Sequence, residues 1–232
     1  MNRPFDRMIR SFVRREGRMT RAQHDALERL RKAYLLAEDD LRDLDHVFKR
    51  RAPRVLEIGF GMGDALAVMA KAQPHWDYLG IEVHRPGIGS LLLKLEKDGS
   101  DNVRVICADA VEVLRRHLPD AGLDAVHLFF PDPWPKRRHH KRRIVQAEFV
   151  ELVRGKLKPG GRFHIATDWE DYARHILAVM EAARGFVNSA GAGNFSPRPP
   201  ERPLTKFEQR GQRLGHGVWD LMFVRREDQS LR

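Results

Sequence analysis

The sequence predicts a doubly wound α/β fold: a mostly parallel, seven-stranded sheet with helices on both faces, preceded by a basic helical extension. Three observations carry this. From residue 54 onward, short apolar runs rich in β-formers alternate with longer amphipathic segments. The connections between them are short, which suits strand–helix–strand crossovers. The chain has 232 residues, 42% of them hydrophobic and 32% charged, a globular balance with room for one such domain.

Residues 1–18 form a basic arm, in which Arg3, Arg7, Arg10, Arg14, Arg15 and Arg18 outnumber Asp6 and Glu16. Such an arm either stays solvated or orders against a polyanion. Thr20 and Gln23 have capping-box spacing, which starts a helix through Ala26, Leu27, Leu30 and Ala33-Tyr34. A second, shorter helix is expected over 41–48. These elements make up an extension of residues 1–50, and the α/β domain follows over 51–232.

Strands are expected at 54–58, 78–82, 103–107, 124–130 and 162–167. Helices are expected at 64–72, 87–97, 111–117, 146–157 and 170–184. The segment Lys158-Pro159-Gly160-Gly161 stops the fourth of these helices. Residues 188–203 read as an extended, rather stiff loop, with Pro197, Pro199, Pro200 and Pro203. A last strand over 218–225 is expected to pair antiparallel with 185–188 at one side of the sheet.

The net charge of +10 calls for an acidic partner. Cys107 is the single cysteine, which excludes an internal disulfide framework and a cysteine-rich zinc site and suits a reducing cytoplasm. No apolar run approaches a membrane span, so no membrane partner is expected, and the amino terminus lacks a signal peptide's apolar core. The eleven histidines show no metal-ligand spacing, so no metal is expected. Nothing points to an obligate protein partner, and a monomer or a homodimer is expected.

Glu57-Ile58-Gly59-Phe60-Gly61-Met62-Gly63 joins the first strand to the first helix of the sheet. A dinucleotide loop would space its glycines as G-x-G-x-x-G. Here the third glycine comes one residue early and an acid stands two residues before the first. That suits a ligand with cationic groups and no phosphate, such as S-adenosylmethionine. Glu57 can face the cationic side, and Gly59 and Gly61 let the ligand approach the backbone. Glu82, at the end of the second strand, can accept from two ribose hydroxyls. Asp109 follows the third strand and Asp132 the fourth. One acid after a strand is commonly a helix cap. Four in order are harder to explain that way.

Pro131-Asp132-Pro133-Trp134-Pro135-Lys136 is the most distinctive segment. Its alternate prolines end a buried strand and stiffen the turn at the sheet's carboxyl edge, where ligands of such sheets bind. Lys136 to Arg143 follow, all basic or imidazole. An acid and an indole beside a cationic strip suit a planar base carried on a polyanion. Trp134 either stacks on that base or packs among its prolines. Asp168 either serves the site or caps the helix after it.

Leu56-Glu57-Ile58-Gly59-Phe60-Gly61-Met62-Gly63, Gly80-Ile81-Glu82-Val83-His84, the proline-tryptophan turn, Thr167-Asp168-Trp169 and Thr205-Lys206-Phe207-Glu208 together resemble the bacterial tRNA (guanine-N(7)-)-methyltransferases. Arg10-Ser11-Phe12-Val13-Arg14-Arg15 is also similar, so the likeness spans nearly the whole chain. It implies a Rossmann-like methyltransferase sheet, S-adenosyl-L-methionine as cofactor, tRNA as partner and methylation of a variable-loop guanine at nitrogen 7. It further implies that Glu57, Glu82, Asp109 and Asp132 contact the cofactor, with Asp132 also the active-site residue. Lys136, Asp168, Thr205, Lys206, Phe207 and Glu208 match substrate-contacting positions. Arg138, His139, His140, Lys141, Arg142 and Arg143 match RNA-contacting ones. Two other readings stand beside it: a methyltransferase acting on another nucleic-acid or protein amine, and a non-catalytic RNA-binding protein on the same fold.

Overall fold

The computed structural model describes residues 17–204, 208 and 217–227. The basic arm through residue 16, and the predicted site residues Thr205, Lys206 and Phe207, lie outside the described residues. The strands are β1 (Arg54–Ile58), β2 (Asp77–Ile81), β3 (Val103–Ile106), β4 (Leu123–Phe129), β5 (Leu157–Thr167), β6 (Phe186–Asn188) and β7 (Trp219–Arg225). The helices are α1 (Arg21–Tyr34), α2 (Leu44–Phe48), α3 (Asp64–Ala72), α4 (Arg85–Asp98), α5 (Ala110–Arg116), α6 (Ala147–Lys156) and α7 (Glu170–Ala182).

The seven strands form one sheet in the order β3-β2-β1-β4-β5-β7-β6. Strands β1 to β5 are parallel, and β7 is antiparallel to both β5 and β6. The expected antiparallel pair is present, and β7 also inserts between β6 and the parallel strands. The strand order reverses between β1 and β4, so a crevice opens beyond their carboxyl ends.

Side-chain alternation gives the sheet two apolar faces. Val55, Tyr78, Val105, Ala125 and Phe129 lie in one core cluster with Leu66 and Met69 of α3, Leu91 and Leu95 of α4, and Leu27 of α1. Leu56, Leu79, Val126, Leu128, Phe163 and Ile165 lie in the other with Val113, Phe149, Val153 and Ile176 of α5, α6 and α7. Each fully buried side chain of this kind is worth roughly 1.5–3 kcal/mol relative to exposure.

The extension is built into this body. Its capping box forms, with Thr20 N donating to Gln23 Oε1 at 2.9 Å and Gln23 N to Thr20 Oγ1 at 3.3 Å. Helix α1 crosses α4 closely at Gly89, where a Cβ would stand 2.7 Å from Gln23 O. Leu36 N then donates to Val105 O of β3 at 2.9 Å. The helix expected over 41–48 is interrupted at Asp43, whose Oδ1 accepts from His46 N at 3.0 Å and caps α2. A 3-10 turn, Glu38–Arg42, precedes it.

Most boundaries fall within a residue or two of the sequence expectation, and the largest difference is the start of β5, at Leu157 where 162 was expected. Helix α6 ends at Lys156, just before Lys158-Pro159-Gly160-Gly161, and that segment already belongs to β5. Leu157 pairs with Leu123, and the register slips before Arg162 pairs with Ala125. Gly160, at φ 78°, lets the strand bulge there.

Candidate active site at the carboxyl ends of the strands

A cavity of about 850 Å³ opens in the crevice beyond β1, β2, β3 and β4. Gly59, Gly61, Glu82, Asp109 and Asp132 all line it. Gly17, Met19 and His24 of the extension close another side. Five of the six residues expected to hold the cofactor therefore share one wall system.

The glycine loop takes its shape from both sides. Gly61 has φ 57°, a left-handed conformation that other residues adopt only with strain. Behind it, α4 approaches so closely that a Cβ on Gly87 would fall within 3.0 Å of the Gly61 carbonyl oxygen. In front, Glu82 Oε2 accepts from Gly61 N at 2.8 Å. Glu82 Oε1 accepts from Val83 N at 2.7 Å and His84 N at 2.9 Å. A carboxylate offers about four acceptor sites. Three hold backbone here, so Glu82 anchors the loop and keeps about one acceptor for a ligand, where two were expected for a ribose.

Glu57 departs further from expectation. It is 2% exposed, does not line the cavity, and its Oε2 has no hydrogen-bond partner. Burial, and then the neighbouring Glu82 charge, push its carboxyl up to about 8. Its environment therefore favours the neutral, protonated carboxyl over the carboxylate. Asp109 lines the cavity and caps α5, with Oδ1 accepting from Val111 N at 2.9 Å.

The proline turn leaves β4 through two left-handed residues. Phe130 has φ 52° and Trp134 φ 47°, and they bracket Pro131-Asp132-Pro133. Non-glycine residues in this region cost about 1–2 kcal/mol each. Such strain persists where surrounding structure enforces it and concentrates at functional sites. Phe130 N still donates to Ala166 O of β5 at 2.8 Å. Beyond that bond the turn projects Asp132, exposed, at the cavity mouth. Trp134 is half-buried, with the Arg142 guanidinium 4.2 Å from its ring centroid and the His139 ring edge-on at 5.9 Å. Two residues of the strip thus pack against its indole.

The cationic strip folds as a 3-10 turn, Arg137–Arg142. Lys136, Arg138 and Lys141 are exposed, and His139 and His140 half-buried. Burial and the surrounding cations lower the His139 imidazole. Arg143 is not part of this open surface. It is 3% exposed, donates from Nε to Pro133 O at 2.9 Å, and bonds Asp171 from a terminal nitrogen. The expected RNA contact at Arg143 is corrected to an internal one, because its guanidinium is already enclosed and partnered.

Asp168 lies two residues beyond the Phe129–Ala166 pair, just past the end of β5, the strand beside the one that leads into the proline turn, and is half-buried. It does not cap α7. Trp169 occupies that position without a side-chain bond, and Thr167 Oγ1 accepts from Trp169 N at 3.3 Å. Glu208 is 2% exposed, with its two oxygens 2.7 and 2.8 Å from the terminal nitrogens of Arg202. Its expected substrate contact is corrected to a buried ion pair. Arg202 also donates to both oxygens of Asp220, at 2.8 and 2.9 Å, and Asp220 meets His164 Nε2 at 2.7 Å. Burial works against the Asp220 carboxylate, but the bonds from His164 and Arg202 hold it below the usual range. The Arg202 guanidinium lies 6.0 and 5.7 Å from the rings of Phe129 and Phe130, so the cluster backs the root of the proline turn. Removing one partner of such a cluster costs about 3–5 kcal/mol, against about 0–1 kcal/mol for an exposed pair. Sequence reading missed Arg202, Asp220 and His164. Asp220 and His164 carried a weak signal, as polar residues inside apolar strands.

Residues 51–221 match the family described as "Putative methyltransferase". A tRNA (guanine-N(7)-)-methyltransferase of Hydrogenovibrio crunogenus is 57% identical over 220 residues, covering 94% of this chain and 92% of that protein. One of Pseudomonas putida is 59% identical over 218 residues, covering 94% and 91%. Among solved structures, a 16S rRNA (adenine(1408)-N(1))-methyltransferase from Catenulisporales acidiphilia with cosubstrate SAM superposes at TM-score 0.56. It is 18% identical, with 85% of this chain and 95% of that one covered. An rRNA methylase from Streptococcus thermophilus superposes at 0.53, with 14% identity and 91% and 100% coverage. At these identities the structural likeness speaks for the fold, a Rossmann-like methyltransferase sheet.

Proposed function

This chain belongs to the bacterial tRNA (guanine-N(7)-)-methyltransferase family, and on that premise we infer how its residues transfer methyl from S-adenosylmethionine to nitrogen 7 of a tRNA guanine. The observation that carries the reading is the placement of Asp132. It stands on a strained, proline-stiffened turn at the mouth of the glycine-loop cavity, beside an exposed cationic turn.

The cavity fits the cosubstrate. Asp109, the remaining acceptor of Glu82 and the open space in front of Gly59 and Gly61 would hold it. A bound S-adenosylmethionine supplies an electrophilic methyl on a sulfonium. Nitrogen 7 of guanine already has an in-plane lone pair and no proton to lose, so the chain need supply no general base. Its residues act by placement and by negative potential. Asp132 accepts from the amide and amino edge of the guanine and opposes the positive charge that passes to the purine. Asp168, just past the end of the adjacent strand β5, is the second acceptor at the same edge. Lys136, Arg138 and Lys141 hold phosphates without reading sequence.

The test is nucleoside analysis. The purified protein, unmodified tRNA transcript and S-adenosylmethionine should yield 7-methylguanosine by mass spectrometry after digestion. Methylation of an exocyclic amine instead, or of protein alone, would refute the reading.

A further inference from the structure

We propose that Arg143 is a positioning residue for methyl transfer, fixing the proline turn that carries Asp132 against the strand end that carries Asp168. The proposal rests on the reading of Asp132 as the acting acid. Its ground is a bonding problem peculiar to the turn. Pro131, Pro133 and Pro135 have no amide hydrogens, so most of the turn cannot be tied to the sheet by donation from its own backbone. With three of its five amides gone, the turn depends more on its carbonyls being held, and for these a donor must come from outside. Two left-handed residues, Phe130 and Trp134, add strain that an external restraint must contain.

Arg143 supplies that donor. Its Nε bonds Pro133 O, the carbonyl one residue past Asp132, at 2.9 Å. The same guanidinium bonds Asp171, three residues past Asp168, and lies 4.9 Å from the Tyr172 ring centroid. Tyr172 is in turn fixed by Val145 N, which donates to its hydroxyl at 3.3 Å. Arg143 N donates to His140 O at 3.0 Å, closing the 3-10 turn of the strip. One buried, planar fork thus joins the acid's turn, the cationic turn and the start of α7. A lysine would keep the charge but could not hold two acceptors in this fixed geometry.

The experiment compares Arg143→Met, Arg143→Lys and Asp171→Asn with the full-length protein. Single-turnover methyl transfer is measured at saturating tRNA and cofactor, with tRNA affinity across a salt series and cofactor affinity by calorimetry. A displacement of about 1 Å can cost on the order of a hundredfold in rate. Both Arg143 variants should lose roughly tenfold to a hundredfold in single-turnover rate, and Asp171→Asn several-fold. Cofactor affinity and the salt slope of tRNA binding should stay at wild type. Should Arg143→Met fail to fold, Arg143→Lys and the exposed Asp171→Asn carry the same test. A wild-type rate in folded variants overturns the proposal. So does a salt slope reduced by about one unit at unchanged rate, which marks a phosphate contact. A fall in rate that only tracks the fraction of cofactor-binding protein marks plain structural support and also overturns it. Asp132→Asn, run alongside, separates the premise: if it alone reacts at the wild-type rate, the role of Asp132 fails, not the tie made by Arg143.

Discussion

Replacing Gly87 by alanine should weaken cofactor binding, although helix propensity alone favours the change. Gly87 lies in the first turn of α4, where alanine is worth about 0.5–1 kcal/mol over glycine. Against this stands the Gly61 peptide. A Cβ on Gly87 would fall within 3.0 Å of the Gly61 carbonyl oxygen and 3.0 Å from its carbon. The obstacle is backbone, so no side-chain rotation relieves it. Gly61 cannot yield freely either, because Glu82 holds its amide at 2.8 Å. Ordinary contact therefore requires about 1 Å of movement by α4 or by the loop. Overpacking of this kind costs about 1–3 kcal/mol, leaving a net loss of about 0–2.5 kcal/mol. The larger effect falls on the ligand, since the loop faces the cavity. S-adenosylmethionine affinity, measured by calorimetry, should drop by on the order of tenfold, about 1.4 kcal/mol. Gly99→Ala, at the other end of α4, is the control. Its φ is 65° and no atom stands within 4 Å of a Cβ there, so it should cost strain without affecting the cofactor. Wild-type cofactor affinity in folded Gly87→Ala, or an equal loss in Gly99→Ala, would refute the reasoning.

Two further outcomes follow from the site. Glu57 binds a proton more tightly folded than unfolded, since burial lifts its carboxyl from 4.5 to about 8. Its contribution to stability is full below about 4.5 and is lost as pH rises toward about 8; denaturant titrations should show Glu57→Gln lacking that decline. Neutralising the exposed Arg138 and Lys141 together should weaken tRNA binding and lower its salt slope by roughly one unit for each phosphate they neutralise in the wild type. Cofactor affinity should not move, and an unchanged slope would show that these charges do not meet phosphate.

The parallel alternation, the glycine loop and the acids after each strand were legible because each depends on local pattern: apolar period, glycine, proline. Gly59, Gly61, Asp109 and Asp132 needed no more than neighbouring strand ends to be brought together. What could not be read depends on which side chain meets which across the chain. Glu82 looked like a ribose acceptor, but its acceptors go mainly to the amides of Gly61, Val83 and His84. Arg143 looked like one more cation in a strip, yet the turn directs it inward to Pro133 and Asp171. Arg202 gave no signal: Glu208 stands only six residues away, but Asp220 and, through Asp220, His164 lie on β7 and β5 and reach it only through the fold. The insertion of β7 beside β5 is a long-range pairing that no local pattern encodes. The left-handed Phe130 and Trp134 were hidden because their side chains give no reason for that conformation.

The most direct test of charge placement without a base is single-turnover methyl transfer by Asp132→Asn, at saturating tRNA and cofactor. The substitution keeps the shape of the side chain, and its exposed position at the end of the sheet should leave the fold intact. It removes the negative charge and one acceptor from the guanine edge. Loss of such a preorganised group predicts a fall on the order of a hundredfold or more. The wild-type rate should show no rise above neutral pH attributable to deprotonating the base, because nitrogen 7 carries no proton. A wild-type rate in Asp132→Asn would contradict the account and pass the role of acting acid to Asp168.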